Sequence, residues 1–127
     1  MNTITSGRSG FTLLEIMIVV SIIGLLAAIA VPNFVRARVV SHQTTCINNL
    51  CQIRSAVAQW ALETNASGTS PVQYSDIQSA LRGSTVCPSG GTSFSDSYTI
   101  TDVQTPPTCK KVPAGPNAHC LPADITQ

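Results

Sequence analysis

The sequence predicts an α+β fold in which a long N-terminal α-helix packs against a small C-terminal antiparallel sheet. Residues 11–31 form an apolar run with a single charge, and residues 33–63 carry apolar side chains at helical spacing. The rest of the chain is rich in Ser, Thr and Gly and holds seven of the eight prolines. Because proline interrupts regular structure, only short helices and strands are expected after residue 63. A chain of 127 residues has room for one small core.

The apolar run predicts a membrane-spanning helix. It extends over 21 residues from Phe11 to Val31, with Glu15 as its charged residue. At 1.5 Å per residue it is roughly 31 Å long, enough to cross the hydrocarbon core of a bilayer. We assign residues 11–32 to this segment. The polar residues 1–10 precede it as a leader or flank.

The second half of the long helix is predicted from a stripe of apolar residues at spacings of four and three. The stripe consists of Cys46, Leu50, Ile53, Val57 and Trp60. Such spacing is typical of an amphipathic helix, here residues 33–63. Pro32 removes one backbone hydrogen bond and can kink a helix without ending it. We therefore predict one continuous helix of about 53 residues.

Residues 64–127 are predicted to form a small loop and sheet region. Ser75 and Gln78 have the spacing of a capping box, which predicts a short helix with Ile77 on its apolar face and Gly83 ending the turn. Alternating side chains predict a strand over about 97–103. A second strand over about 109–112 can return beside it, giving a sheet of two or three strands on the stripe of the long helix.

Composition excludes several classes of function. The formal net charge is +1 and no long basic run occurs, so nucleic-acid binding is not expected. His42 and His119 lie far apart in the chain, and neither belongs to a recognisable catalytic pattern. We therefore predict a protein that is not an enzyme and that needs no cofactor.

Five cysteines in so short a chain suggest an oxidising compartment. Cys87 and Cys109 flank the predicted strand, and a disulfide between them would close a loop of about 22 residues, worth roughly 3 kcal/mol. This is the preferred pair, with Cys51–Cys120 as a second candidate and Cys46 as the free thiol. A metal-ligand pair of His119 and Cys120 is conceivable, but a surface histidine beside a disulfide cysteine is the preferred interpretation. No metal site is predicted.

The N-terminal segment permits three interpretations. A secretory signal peptide could be cleaved after Ala30, because Ala28 and Ala30 are small residues at the required spacing. This would release a secreted, disulfide-stapled binding domain. The position of Glu15 inside the apolar run argues against it, since a signal peptide has no use for a carboxylate there. A plain membrane anchor is the second interpretation.

The third interpretation is a family resemblance. Residues 10–15, Gly-Phe-Thr-Leu-Leu-Glu, are followed by the apolar run and by Pro32. This arrangement resembles the N-terminus of type IV pilins and type II secretion pseudopilins. The resemblance implies that a prepilin peptidase removes residues 1–10 by cutting between Gly10 and Phe11 and that Phe11 is N-methylated.

The resemblance also implies a pilin-like fold and a function. The chain would be an inner-membrane, single-pass precursor that is assembled into an extracellular or periplasmic helical filament of its own copies. An assembly platform in the inner membrane and its ATPase would be further partners. A pseudopilin of a secretion or DNA-uptake machine is the alternative within the same class.

Glu15 is the predicted assembly residue. A carboxylate in a membrane helix costs on the order of 2.5–3.5 kcal/mol at the centre and less near the end, so it requires a partner. Cleavage after Gly10 would create an ammonium group on Phe11 at the same end of the helix. Between subunits, this charge pair would fix the axial step at which a new helix docks.

Overall fold

The computed structural model describes residues 10–122, and its main element is helix α1, Leu13–Thr64. Residues 1–9 of the predicted leader and residues 123–127 lie outside this description. Helix α1 has 52 residues and contains Pro32. The prediction of one long helix that continues past this proline is therefore confirmed.

The chain divides into two compact units, the first ending at Arg36 and the second beginning at Ala37. In the first unit every described side chain is exposed. In the second unit, α1 has one buried face, formed by Cys46, Leu50, Ile53, Ala56 and Val57. Trp60 is half-buried and packs against the same core. The predicted apolar stripe is thus the inner face of α1.

Asn65 terminates α1. Its φ of 51° places it in the left-handed region, where asparagine is among the better tolerated residues. The backbone N–H of Ala66 then donates to the carbonyl of Ala61 at 2.9 Å, which satisfies one of the free carbonyls of the last turn.

The short second helix starts earlier than predicted. Helix α2 is Tyr74–Ile77, and its N-cap is Gln73 rather than Ser75. The carboxylate of Asp76 accepts a hydrogen bond of 2.9 Å from the backbone N–H of Gln73 and so fixes the start of the helix. Ile77 is fully buried, as expected for its apolar face, and Gly83 has a positive φ of 75°.

A third helix, α3, Phe94–Ser97, was not predicted. Its N-cap Ser93 accepts a hydrogen bond from the backbone N–H of Asp96, and the Asp96 carboxylate accepts from the N–H of Thr92 at 3.1 Å. Lys111 forms a 2.7 Å ion pair with the same carboxylate. These local bonds outweigh the strand-like alternation of the sequence.

An antiparallel pair of short strands follows, β1, Tyr98–Thr99, and β2, Thr108–Cys109. Tyr98 lies opposite Cys109, and Thr99 lies opposite Thr108. The predicted antiparallel sheet is confirmed, but both strands are shorter than expected and β2 begins one residue earlier.

The chain leaves the sheet after Thr99 because its backbone pairs with residues 71 and 72 instead of with β2. Val72 donates its N–H to the carbonyl of Thr101 at 3.0 Å, and Pro71 forms a bridge with Asp102. The Asp102 carboxylate then accepts a 2.6 Å hydrogen bond from the N–H of Thr105. This side-chain turn bends the chain where the predicted strand would have continued.

The core of the second unit is a cluster of apolar side chains on the inner face of α1. Leu50 and Ile53 of the helix, with Ile77 of α2, are fully buried. Two aromatic contacts extend this cluster, Tyr74–Phe94 with ring centroids 4.3 Å apart and Phe94–Tyr98 at 5.7 Å. Helix α1 therefore supplies one wall of the core, and the short elements supply the other.

Two leucines of α1 test this assignment. Leu50→Ala should lower the free energy of unfolding by about 2–5 kcal/mol, because it leaves a cavity in a close-packed core. Leu62 is 80% exposed, so Leu62→Ala should change that free energy by less than about 0.5 kcal/mol. Urea unfolding of the full chain in detergent, followed by the fluorescence of Trp60, measures both. Equal losses would contradict the buried face described above.

Candidate functional site

The N-terminal part of α1 is an uncovered apolar surface. All residues from 10 to 41 are exposed, including large side chains such as Leu25, 68% exposed, and Ile29, 63% exposed. Among the described residues, α1 is the one helix long and apolar enough to cross a membrane. A surface of this kind is stable only in lipid or against other apolar helices.

Glu15 lies in the first turn of α1 and forms a reciprocal cap with Thr12. The backbone N–H of Thr12 donates to the Glu15 carboxylate at 3.4 Å, and the N–H of Glu15 donates to the Thr12 hydroxyl at 3.3 Å. This is a capping box, and it identifies Thr12 as the residue that starts the helix. The Thr-x-x-Glu spacing of a capping box is visible in the sequence, although the role of Thr12 was not predicted from it.

The other predicted residues of this segment have open surroundings. A Cβ atom added to Gly10 or to Gly24 would meet no atom within 4 Å. Phe11 is 81% exposed. Pro32 lies inside α1, and the side chain of Asn33 donates to the carbonyl of Ile29 at 3.2 Å. The surroundings of Gly10, Phe11 and Gly24 within the described chain are thus open.

A second group of reactive side chains is buried in the second unit. The group, here called the Cys–His cluster, consists of Cys46, Cys87, Cys109 and His119. The three sulfur atoms and one imidazole nitrogen all lie within 4.8 Å of one another. Sγ of Cys87 is 3.6 Å from Sγ of Cys109 and 3.5 Å from Nδ1 of His119, and the Cys109 sulfur is 4.0 Å from that nitrogen.

Four separate segments position the cluster. Cys46 projects from the inner face of α1, and Cys109 lies in β2. Cys87 begins a tight turn in which Gly91 donates its N–H to the Cys87 carbonyl at 2.8 Å. A Cβ atom on Gly91 would come within 2.9 Å of the Cys87 backbone, so this close approach requires glycine.

His119 is held by its own backbone and by its neighbour. Its N–H donates to the carbonyl of Val112 at 2.9 Å. Gln43 of α1 donates to the carbonyl of Ala118 at 3.0 Å. Burial lowers the pKa of His119, with a smaller contribution from His42, so the imidazole is neutral near pH 7.

Hydrogen-bond donors surround the sulfur atoms. The hydroxyl of Tyr98 lies 3.5 Å from Sγ of Cys46, and Asn49 donates to that hydroxyl at 3.0 Å. Backbone groups of Ser89 act to lower the pKa of the Cys87 thiol, and those of Val112 and Lys111 act to lower the pKa of the Cys109 thiol. These donors can stabilise negative charge on sulfur.

The cysteine pKa values reflect two opposing effects. Burial raises the pKa of the Cys46 thiol and of the Cys87 thiol. Burial also acts to raise the pKa of Cys109, but the backbone bonds from Val112 and Lys111, together with bonds from the neighbouring cysteines, outweigh it and lower that pKa.

The structure brings together some of the residues that the sequence singled out and separates others. Cys87 and Cys109 are neighbours, with their sulfur atoms 3.6 Å apart and not bonded to each other. Cys51 is half-buried on α1, and Cys120 is exposed beside His119. The prediction of a surface histidine at position 119 is wrong: His119 is buried, and it faces Cys46, Cys87 and Cys109 rather than its neighbour Cys120. Both disulfide pairs remain predictions.

Comparison with known proteins gives one family match and several relatives. Residues 5–31 match the prokaryotic N-terminal methylation motif. The chain is 53% identical over 72 residues to the type IV major pilin protein PilA of Myxococcus xanthus (strain DK1622), covering 57% of this chain and 30% of that protein. It is 34% identical over 58 residues to the type II secretion system core protein G of Aeromonas hydrophila, covering 46% and 41%.

A third relative is the type IV major fimbrial protein FimA of Dichelobacter nodosus, 39% identical over 61 residues, covering 48% of this chain and 39% of that protein. The chain thus spans 30 to 41% of the length of these three relatives. No solved structure gives a significant match. By its methylation motif and these similarities, the N-terminal part of the chain is similar to type IV pilins and type II secretion pseudopilins.

Proposed function

We propose that the chain is the structural subunit of a type IV pilus-like filament, polymerised through the N-terminal part of α1. The observation that carries this proposal is the uncovered apolar surface of residues 10–41, with Glu15 at its beginning. Before assembly, lipid would cover this surface. In the filament, the same part of neighbouring subunits would cover it. The role is structural and requires no catalytic residue.

Processing would precede assembly. A prepilin peptidase would cut between Gly10 and Phe11 and N-methylate Phe11, as the methylation motif over 5–31 suggests. The new terminal ammonium of Phe11 has an ordinary pKa near 8 and would be charged at neutral pH. It is a suitable partner for the Glu15 carboxylate of a neighbouring subunit. Pro32 would allow α1 to kink within the bundle.

The further partners follow from the same proposal. They are other copies of the chain, the peptidase, and an assembly platform with its ATPase in the bacterial inner membrane. The filament would lie outside that membrane, in the periplasm or beyond the cell. Small residues such as Gly24 would allow close approach of neighbouring helices, and the open space beside Gly24 is consistent with this.

A pseudopilin of a type II secretion machine is the second candidate. The similarity to core protein G of Aeromonas hydrophila favours it. The two candidates share processing and helix packing but differ in the assembly they form. Deleting the gene from its natural host would separate them: loss of surface filaments supports the pilin, whereas loss of secreted proteins with surface filaments intact supports the pseudopilin.

The processing step is tested at Gly10. In Gly10→Leu the leader should remain attached, because a peptidase that recognises a residue without a side chain has no room for one. The described chain itself has space for a side chain here, so the change should not disturb the fold. N-terminal sequencing of the membrane-purified protein should begin at Phe11 in the natural chain and at Met1 in the variant.

Gly24→Leu is the matched control for this experiment. It adds the same side chain in an equally open position of α1 and should still be cleaved. A Gly10→Leu protein that begins at Phe11 would remove the cleavage assignment. A natural chain that begins at Val31 would instead establish the secreted domain.

The charge of Glu15 can be tested separately from its capping role. Glu15→Gln retains an oxygen that accepts from the Thr12 N–H but removes the charge, so the helix should form and insert while polymerisation fails. Thr12→Ala should lose about 1 kcal/mol of helix capping and still polymerise, because it keeps the carboxylate.

Electron microscopy of sheared filaments and membrane fractionation of the subunit measure the two steps. Filaments of normal yield from Glu15→Gln would contradict the charge pair. Failure of both variants would indicate that capping of α1, rather than charge, controls assembly.

A further inference from the structure

The Cys–His cluster has no part in the proposed function, and its geometry is that of a metal centre. We propose that Cys46, Cys87, Cys109 and His119 bind one Zn²⁺ in a tetrahedral, structural site. The ion would be held by three thiolate sulfur atoms and by Nδ1 of the imidazole. The proposal is independent of filament assembly.

The distances between the four atoms agree with tetrahedral coordination. Zinc binds sulfur at about 2.3 Å and imidazole nitrogen at about 2.0–2.1 Å, so two sulfurs lie about 3.8 Å apart and a sulfur and a nitrogen about 3.6 Å apart around one ion. The three separations among Cys87, Cys109 and His119 are 3.6, 3.5 and 4.0 Å. Cys46 completes the set within 4.8 Å of the others.

The chemistry of the ligands selects the ion. Three thiolates and one neutral imidazole form a Cys₃His set, which is one of the usual structural zinc sites. The cluster contains no carboxylate, which disfavours calcium and magnesium. All four side chains are buried, so the site is closed to solvent and has the character of a structural rather than a catalytic site.

The surroundings are suited to three thiolates. The backbone of Ser89 acts on Cys87, and the backbone of Lys111 and Val112 acts on Cys109, in the direction that favours a thiolate. Because Asn49 donates to the oxygen of Tyr98, the Tyr98 hydroxyl is oriented to donate to Cys46. Such outer contacts hold metal ligands in position and offset their charge.

Binding would displace the thiol protons to solvent and leave zinc, three thiolates and a neutral histidine. It would join α1, the turn after Cys87, strand β2 and the segment at His119. Among the described residues after Thr64, regular elements are short, so a metal that binds only the folded arrangement would contribute directly to the stability of this region.

A Cys87–Cys109 disulfide is the competing arrangement, because a sulfur atom that is bonded in a disulfide cannot bind zinc as a thiolate. It would use two of the four groups and leave Cys46 and His119 without a role. The zinc site uses all four. The two arrangements therefore predict different effects for Cys46 and His119.

The test begins with the natural full-length chain, extracted in detergent without chelators. Elemental analysis should find about one Zn²⁺ per chain, and X-ray absorption at the zinc edge should show three sulfurs and one nitrogen. Cobalt(II) added to the metal-free, reduced protein should give the absorption bands of tetrahedral thiolate coordination. These measurements need no variant and so do not depend on the folding of one.

Variants then locate the ion. Cys46→Ser and His119→Gln should each lose stoichiometric zinc, and Tyr98→Phe should weaken zinc affinity by about 10–100-fold. Cys51→Ser and Cys120→Ser are matched controls outside the cluster and should retain the full zinc content. Peptide mapping of the non-reduced chain reports the disulfide in the same samples.

Three results would overturn the proposal. The first is a natural chain with Cys87 and Cys109 joined in a disulfide. The second is a reduced chain that fails to take up zinc or cobalt(II). The third is zinc that remains bound in full in both Cys46→Ser and His119→Gln, which would place the ion elsewhere.

Discussion

The inner face of α1 is the surface on which the rest of the second unit depends. Cys46, Leu50 and Ile53 on this face are fully buried although the elements opposite them are only two or four residues long. These short elements cannot stabilise one another through extended hydrogen-bond ladders. They are ordered because their apolar side chains reach a rigid helix that already presents a continuous apolar stripe.

The two units place different requirements on one helix. Up to residue 41 every described side chain is exposed, and the buried side chains of α1 all lie between Cys46 and Val57. In the first unit the favourable burial of apolar area must come from lipid or from another chain. In the second unit it comes from the chain itself. Substitutions in the first unit should therefore affect assembly, and those in the second should affect folding.

The sequence was informative where one strong periodicity or motif decides the structure. The stripe of α1, its passage through Pro32 and the presence of a small antiparallel sheet followed from side-chain spacing. The errors lie where single side chains redirect the backbone. Asp76 moves the start of α2, Ser93 and Asp96 form α3, and Asp102 ends the extended segment.

The functional residues divide in the same way. Gly10, Phe11 and Glu15 lie close together in the chain, and their proposed roles in processing and assembly were predicted from their order alone. The Cys–His cluster could not, because its members are separated by long irregular segments whose path depends on many weak contacts. The cysteine content was a visible signal, but pairing each cysteine with only one partner hid the possibility that three sulfurs meet a histidine.

The positions of the cluster residues also determine how the chain responds to a cut. The segments 46–87, 87–109 and 109–119 each begin and end at the Cys–His cluster. With a metal at that point, cleavage of a single exposed peptide bond, for example near Thr105, would release no fragment. A nicked subunit would remain in one piece until the metal was removed, so its apparent integrity outside the cell would depend on chelators rather than on proteases alone.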